Sequence, residues 1–232
     1  MQIPLSITIG HNSSGEPYLA NVSSMPHLFI SYGDEEHQAQ LYDGIIKQLL
    51  QLHEVSPLYW AIALESQNLS PAIRSISDKK LFRLFTSDPS QTLQADSNRL
   101  FIQAIYRELK RRQRLIKDKA LRHPLIVVMD HVISRLTVGA TRRTGKQFLE
   151  CLLDGPAVGM HVLASSHQSY KNLLDQFMAW HTHRSRLSGH DLASHPDKLS
   201  LGSELVLSGE GLVFFRGQHS REYVKLYSKM NY

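Results

Sequence analysis

Apolar and polar positions along the chain change period several times, and each change marks an element. Leu5-Ser6-Ile7-Thr8-Ile9 alternates like a half-buried strand. Turn formers from Gly10 to Pro17 follow, and Tyr18-Leu19-Ala20-Asn21-Val22 reads as the return strand of a hairpin. His27-Leu28-Phe29-Ile30-Ser31 is a short apolar run suited to a strand buried on both faces, and Tyr32 to Gln38 is a polar turn. Leu41, Ile45, Ile46, Leu49, Leu50 and Leu52 then recur at helical spacing. Two more buried strands are predicted at Tyr59–Leu64 and Leu81–Phe85.

The next helix is predicted to start at Asp96 or Ser97, either of which can cap it, with Leu100, Phe101, Ala104, Ile105, Leu109, Leu115 and Ile116 along one side. Pro124 ends that element, and Leu125-Ile126-Val127-Val128-Met129-Asp130 is an apolar strand closing on an acid. A helix over Thr144–Leu153 and a strand over Met160–Ser165 come next, then short strands at Leu205–Leu207, Gly211–Phe215 and Tyr223–Leu226. Buried strands alternating with amphipathic helices argue for an α/β fold, a central and mostly parallel sheet flanked by helices, with an N-terminal β-hairpin.

Composition narrows the setting. At 232 residues the chain can bury a full core without covalent staples. Its single cysteine, Cys151, excludes an intramolecular disulfide, suits a reducing compartment and reads as a small buried hydrophobe. No apolar run approaches the roughly 20 residues that span a bilayer, and the first residues do not form a signal peptide, so a cytoplasmic location is expected, with association to a membrane-bound complex left open. Charge is unevenly spread. Residues 1–98 hold 5 Lys/Arg against 10 Asp/Glu, residues 99–146 hold 13 against 3, and residues 147–232 hold 8 against 8, so the positive excess lies in the middle segment. Arg107, Lys110, Arg111, Arg112, Arg114, Lys117 and Lys119, followed by Arg135, Arg142, Arg143 and Lys146, form a basic group suited to phosphate or to a subunit interface. A solvated helix face accounts for such a run equally well. His181, His183, His190 and His195 lie close in sequence, but the spacing is loose and no cysteine accompanies them, so no metal site is expected. No Gly-x-Ser-x-Gly elbow and no other catalytic centre is visible.

The order of local signals resembles the motor domain of the FtsK/SpoIIIE DNA-translocase family. Gly15-Glu16-Pro17 and Met25-Pro26-His27-Leu28 are similar to the lead-in of that core, Thr86-Ser87-Asp88-Pro89 to its Thr-Asp-Pro, and Glu108-Leu109-Lys110-Arg111-Arg112 to its Glu-Met-Glu-Arg-Arg helix. Leu125–Asp130 resembles its Walker B strand, Gly155-Pro156-Ala157-Val158-Gly159-Met160-His161 its Gly-Arg-Ala-Ala-Gly-Ile-His turn, and Gly209-Glu210-Gly211 a late Gly-x-Gly. The resemblance implies a RecA-like P-loop NTPase fold, with residues 1–25 as an entrance hairpin and 26–232 as the core of one motor domain.

It also implies a nucleotide site, and there the sequence departs from the pattern. A phosphate loop needs glycines for backbone approach, a Lys for the β/γ-phosphates and a hydroxyl for Mg²⁺. The corresponding stretch, Tyr32 to Ala39, offers Gly33 alone as a flexible point, Gln38 where the Lys stands and Ala39 where the hydroxyl stands. Asp34-Glu35-Glu36 would repel a triphosphate and suit the helix N-terminus instead. Asp130 keeps the Walker B acid, but His131 takes the place of the water-activating Glu, Pro156 that of the turn's Arg, and Ser165-Ser166-His167-Gln168 that of a Thr-Gln-Arg-Pro sensor. The expectation is therefore a pseudo-ATPase: a structural or regulatory subunit of a DNA-translocation, conjugation or secretion assembly. It would need no cofactor, and its partner would be an FtsK-like ring or another protein, another copy of itself, or DNA bound without sequence preference. Two alternatives stand beside it, a divergent ATP-dependent translocase using ATP and Mg²⁺, and a small adaptor that binds neither DNA nor nucleotide.

Overall fold

The computed structural model describes residues 6–21, 27–31, 35–55, 58–64, 82–84, 91–117, 123–137, 141–166, 168, 172, 175, 203–208, 212–216 and 224–227. Its strands are β1 (Ser6–His11), β2 (Pro17–Asn21), β3 (His27–Ser31), β4 (Tyr59–Ala63), β5 (Phe82–Leu84), β6 (Leu125–Met129), β7 (Met160–Ser166), β8 (Ser203–Ser208), β9 (Leu212–Arg216) and β10 (Val224–Tyr227). Its helices are α1 (Glu35–Val55), α2 (Gln91–Lys117), α3 (Val132–Thr137) and α4 (Arg142–Asp154), with a 3-10 turn at Pro156–Val158.

All ten strands join one sheet in the order β2-β1-β10-β9-β8-β3-β7-β6-β4-β5. From β8 to β5 every pairing is parallel, and from β8 to β2 every pairing is antiparallel. The expected mostly parallel α/β sheet is present. The hairpin of β1 and β2 joins that sheet through β10, which pairs with β1 and makes the two strands its far edge. Local patterning cannot see that pairing, which joins positions more than 200 residues apart.

Strands β3, β6 and β7 are buried along their whole length, as their unbroken apolar runs require. On one face, Leu28, Ile30, Trp60, Ile62, Val128 and Leu163 pack under Ile45, Ile46 and Leu49 of α1. On the other, Phe29, Ala63, Val127, Met129 and Val162 pack under α2, α3 and α4. Gln48 fastens α1 to the hairpin: its amide accepts from Thr8 N–H at 2.6 Å and donates to Thr8 C=O at 3.1 Å.

Helix boundaries differ from expectation: α1 starts at Glu35, inside the stretch read as a polar turn, and α4 starts at Arg142 rather than Thr144. Helix α2 starts at Gln91, so Asp96 and Ser97 lie inside it rather than at its cap. The residues Gln91 to Ala95 carry no large apolar stripe, so periodicity alone does not register them. Helix α3 is too short for any period to show, and it was not anticipated.

The glycines of the Gly155–His161 turn have steric reasons to be there. A Cβ on Gly155 would stand 2.2 Å from the Cys151 carbonyl oxygen, and Gly159 has φ 70°. Met160 N–H closes the turn on Gly155 C=O at 2.9 Å and starts β7.

Candidate functional site

In an open parallel sheet, ligands are taken at the carboxyl ends of the strands, where the chain crosses from one face to the other. Here β3 feeds α1 on one face and β6 feeds α3 and α4 on the other, with β7 between them. The candidate site is therefore bounded by Ser31, Asp130, Ser165 and Ser166, all buried. Register sets Ser31 beside Ser166 and Ile30 beside Ser165.

Asp130 is the first residue beyond β6, and its N–H donates to Ala63 C=O at 3.2 Å. His131 follows with φ 48°, a left-handed conformation that costs an L-residue roughly 1–2 kcal/mol. That turn folds α3 sharply back over the strand end. The backbone N–H of Arg135 donates to His131 C=O at 2.9 Å, and its guanidinium reaches back to Asp130. Nε donates to the Asp130 carbonyl at 2.7 Å and to Oδ1 at 2.9 Å, while Nη2 donates to the same Oδ1. Nη1 donates to Asn98 Oδ1 at 2.8 Å. Both side chains of the ion pair are 3% exposed. A buried pair of this kind gains little over an apolar replacement, but losing one partner strands a charge.

This corrects the grouping of Arg135 with the surface cations: it is an internal counter-ion for the Walker B-like acid. Asn98 was missed altogether. Both left a trace in the sequence, since Asn98 is a polar residue on the apolar stripe of α2 and Arg135 stands one helical turn after an acid at a strand end. The Ser165 hydroxyl is buried and has no hydrogen-bond partner among the described residues. Ser166 Oγ accepts from Gln168 N–H at 3.0 Å.

The phosphate-loop positions are only partly visible. Gly33 lies outside the described residues, whereas Gln38 and Ala39 fall in the first turns of α1, with side chains that are not described. Between His27 and Lys47 the sequence holds no Lys or Arg. Lys47 is twelve residues into α1, roughly 18 Å from its start, and is paired with Asp43 at 2.5 Å.

Pro156 does not share this site. The turn that contains it precedes β7 and lies at the opposite end of the sheet from Asp130. Arg112 is at that same end and is 1% exposed, so the structure withdraws it from the surface cations. Its Nε donates to Glu108 at 2.9 Å, and Nη1 donates to the carbonyls of His123 at 2.9 Å and Val158 at 3.2 Å. Burial pulls the Arg112 guanidinium below its usual range, against the opposing hold of Glu108. Burial would raise the Glu108 carboxyl, but hydrogen bonds from Arg111 and Arg112 outweigh it and keep it below its usual range.

Of the remaining cations, Lys110 pairs with Glu150 at 3.2 Å and Arg111 with Glu108 at 2.7 Å. Arg107, Arg114, Arg143 and Lys146 are exposed. The side chains of Lys117 and Arg142 are not among those described, and the four clustered histidines lie outside the described residues. Among the described residues no His, Cys, Asp and Glu gather as a metal site, and no helix is long and apolar enough to cross a membrane. Cys151 is buried, and burial pushes its thiol far up, out of reach of thiolate chemistry.

No family model matches the sequence, and no curated protein matches it. Solved structures do match. The cytoplasmic domain of the type VII secretion ATPase EccC of Thermomonospora curvata superposes with a TM-score of 0.61 at 13% identity, covering 100% of this chain and 27% of that one. EssC (ATPases 2 and 3) from Geobacillus thermodenitrificans gives 0.61 at 12% identity, over 97% of this chain and 41% of that one. The pCW3 conjugation coupling protein TcpA, in its monomer form with ATPγS, gives 0.64 at 10% identity, over 99% and 68%. These neighbours are FtsK/SpoIIIE-type ATPase domains, and the fold is that of the RecA-like P-loop ATPases. The chain spans about a quarter of the EccC chain's length.

Proposed function

We propose that this chain is a catalytically inactive FtsK/SpoIIIE-like pseudo-ATPase domain that serves as a structural or regulatory subunit of a DNA-translocation, conjugation or secretion assembly. The observation that carries the reading is the buried contact of Arg135 with both Asp130 and Asn98. In a working site the acid at this strand end helps hold Mg²⁺. Here a guanidinium already satisfies its Oδ1, so the divalent charge has a resident competitor. The other support is compositional. Gln38 and Ala39 replace the phosphate-binding Lys and the metal-binding hydroxyl, and the sequence carries three acids, Asp34, Glu35 and Glu36, where α1 begins. A triphosphate approaching that helix meets negative charge and no compensating Lys or Arg between His27 and Lys47.

The neighbours support the assembly role. EccC and EssC are known as cytoplasmic domains, and their solved forms include chains holding ATPases 2 and 3 together. This chain spans 41% of such a two-ATPase chain, close to the share of one module. A cytoplasmic subunit of a membrane-bound complex is the setting that fits. Isothermal titration with ATP and Mg²⁺ tests the reading. No binding tighter than millimolar is expected, and a micromolar dissociation constant overturns it.

A further inference from the structure

The outward face of α2 follows the helical period from Leu100 through Gln103, Arg107 and Arg111 to Arg114. Beside it, α4 turns Arg143, Lys146 and Leu153 outward. Tyr106 donates to Glu150 at 2.9 Å, Lys110 pairs with Glu150 at 3.2 Å, and Gln113 donates to Asp154 at 3.1 Å. Contacts that advance together along both helices mean that α2 and α4 lie side by side and run the same way. Their outer faces form one continuous surface.

That surface has two kinds of unsatisfied group. Arg107, Arg114, Arg143 and Lys146 are exposed and make no ion pair among the described residues. Leu100 is 53% exposed and Leu153 40%, two of only four large apolar side chains that the described residues expose, and both lie on this face. Lys110 and Arg111 are already held by Glu150 and Glu108. The carboxylates of Glu108 and Glu150 thus stand among the cations.

A nucleic acid presents phosphate at every step, so it would bring like charge against Glu108 and Glu150. Phosphate would also gain nothing from two half-exposed leucines. An acidic protein segment meets both features. Its carboxylates can be placed opposite the cations alone, and its apolar side chains can cover the leucines. We infer that the α2/α4 face docks an acidic amphipathic segment of a partner protein, its carboxylates on Arg107, Arg114, Arg143 and Lys146 and its apolar side chains on Leu100 and Leu153. This deepens the subunit role proposed above and rests on it only for the expectation that a protein partner exists.

The test uses the full chain and two labelled probes at 150 mM salt. One is a synthetic 20-residue helix with glutamates along one stripe and a leucine at each end of it. The other is a 20-base-pair duplex. The peptide is expected to bind below 100 µM and at least tenfold tighter than the duplex. Charge reversal by Arg107→Glu with Lys146→Glu should weaken the peptide at least tenfold, and Leu100→Ser with Leu153→Ser at least threefold. All four positions are exposed, so far-ultraviolet circular dichroism should show each variant folded. Peptide binding that is absent or indifferent to the reversals overturns the inference, and so does a duplex that binds as tightly as the peptide. Titrating the same proteins with ATP reads the nucleotide question separately, since Arg107, Lys146, Leu100 and Leu153 are not among the residues that bound the candidate site.

Discussion

Replacing Arg135 by Met removes the guanidinium while keeping an apolar stem of similar reach. The change strips Asp130 of its counter-ion and Asn98 Oδ1 of a donor 2.8 Å away, at side chains that are 3% exposed. Breaking a buried pair by removing one partner costs about 3–5 kcal/mol, a large share of the roughly 5–15 kcal/mol that holds a typical domain together. Asp130→Asn is gentler, about 1.5–3 kcal/mol, because the amide oxygen still accepts from the guanidinium and the carbonyl contact at 2.7 Å survives. If the two groups act on each other, the double variant should recover at least 2 kcal/mol of the summed losses. Urea unfolding followed by circular dichroism measures this, provided the slope stays the same and the midpoint moves. Magnesium supplies the second arm. A site with a millimolar constant would gain about 1.4 kcal/mol in 10 mM Mg²⁺, and none is expected for the native chain. The counter-ion reading is refuted by additive losses, or by a native protein that Mg²⁺ stabilises.

Two further outcomes follow from the opposite end of the sheet. His27 is fully buried, its Nε2–H donating to Leu152 C=O at 2.7 Å and its Nδ1 accepting from Val162 N–H at 3.0 Å. Burial lowers its pKa to about 3, with the neighbouring His161 adding to the effect and the Leu152 contact opposing it. The unfolded chain takes up a proton at this position below pH 6.5 and the folded chain does not, so stability rises with pH between about 3 and 6.5 and is level above. Between pH 7.5 and pH 5.0 this residue alone removes about 2 kcal/mol, and His27→Gln should flatten the acid decline by that amount, whereas parallel profiles would contradict the assignment. Arg112→Met should cost about 3 kcal/mol or more by leaving the His123 and Val158 carbonyls unsatisfied, and Arg112→Lys should rescue little, because an ammonium cannot reach Glu108 and both carbonyls together; a midpoint within 0.5 kcal/mol of native would remove Arg112 from the fold's supports.

Much of the sheet was legible because strands buried on both faces announce themselves as unbroken apolar runs, as at Leu125–Met129 and His27–Ser31. What escaped notice depended on contacts distant in sequence. The hairpin's place in the sheet is fixed by β10, and the start of α2 lies outside its apolar stripe. Legibility of the site was uneven for the same reason. Gln38 and Ala39 read from the sequence as loop positions, whereas both lie in α1, and nothing local tells a surface arginine from one that folds back on an acid. Arg112 and Arg135 were counted with the exposed cations because charge is read residue by residue, whereas burial is decided by helix phase. Phase was available for Arg112, which continues the stripe Phe101, Ile105, Leu109, and a basic residue there is a signal of inward use.

The same stripe relates the two ends of the molecule. Among the described side chains of α2, Asn98 and Arg112 are the buried polar ones, fourteen residues apart and so roughly 21 Å along the helix. A five-residue strand spans roughly 17 Å, so the helix matches the depth of the sheet beneath it. Asn98 meets Arg135 at the carboxyl end of β6, and Arg112 meets the carbonyls that precede β6 and β7 at the other. Between them only apolar side chains face the sheet, and these resist sliding far less specifically than a hydrogen bond does. Helix α2 is therefore pinned in register by a polar contact at each end, and its outward cations are fixed relative to the strand ends. Anything that docks on Arg107 and Arg114 pushes on a helix whose buried Asn98 touches the counter-ion of Asp130. The physical connection from the outer face to the candidate site is thus two hydrogen-bonded side chains long, through Asn98 and Arg135.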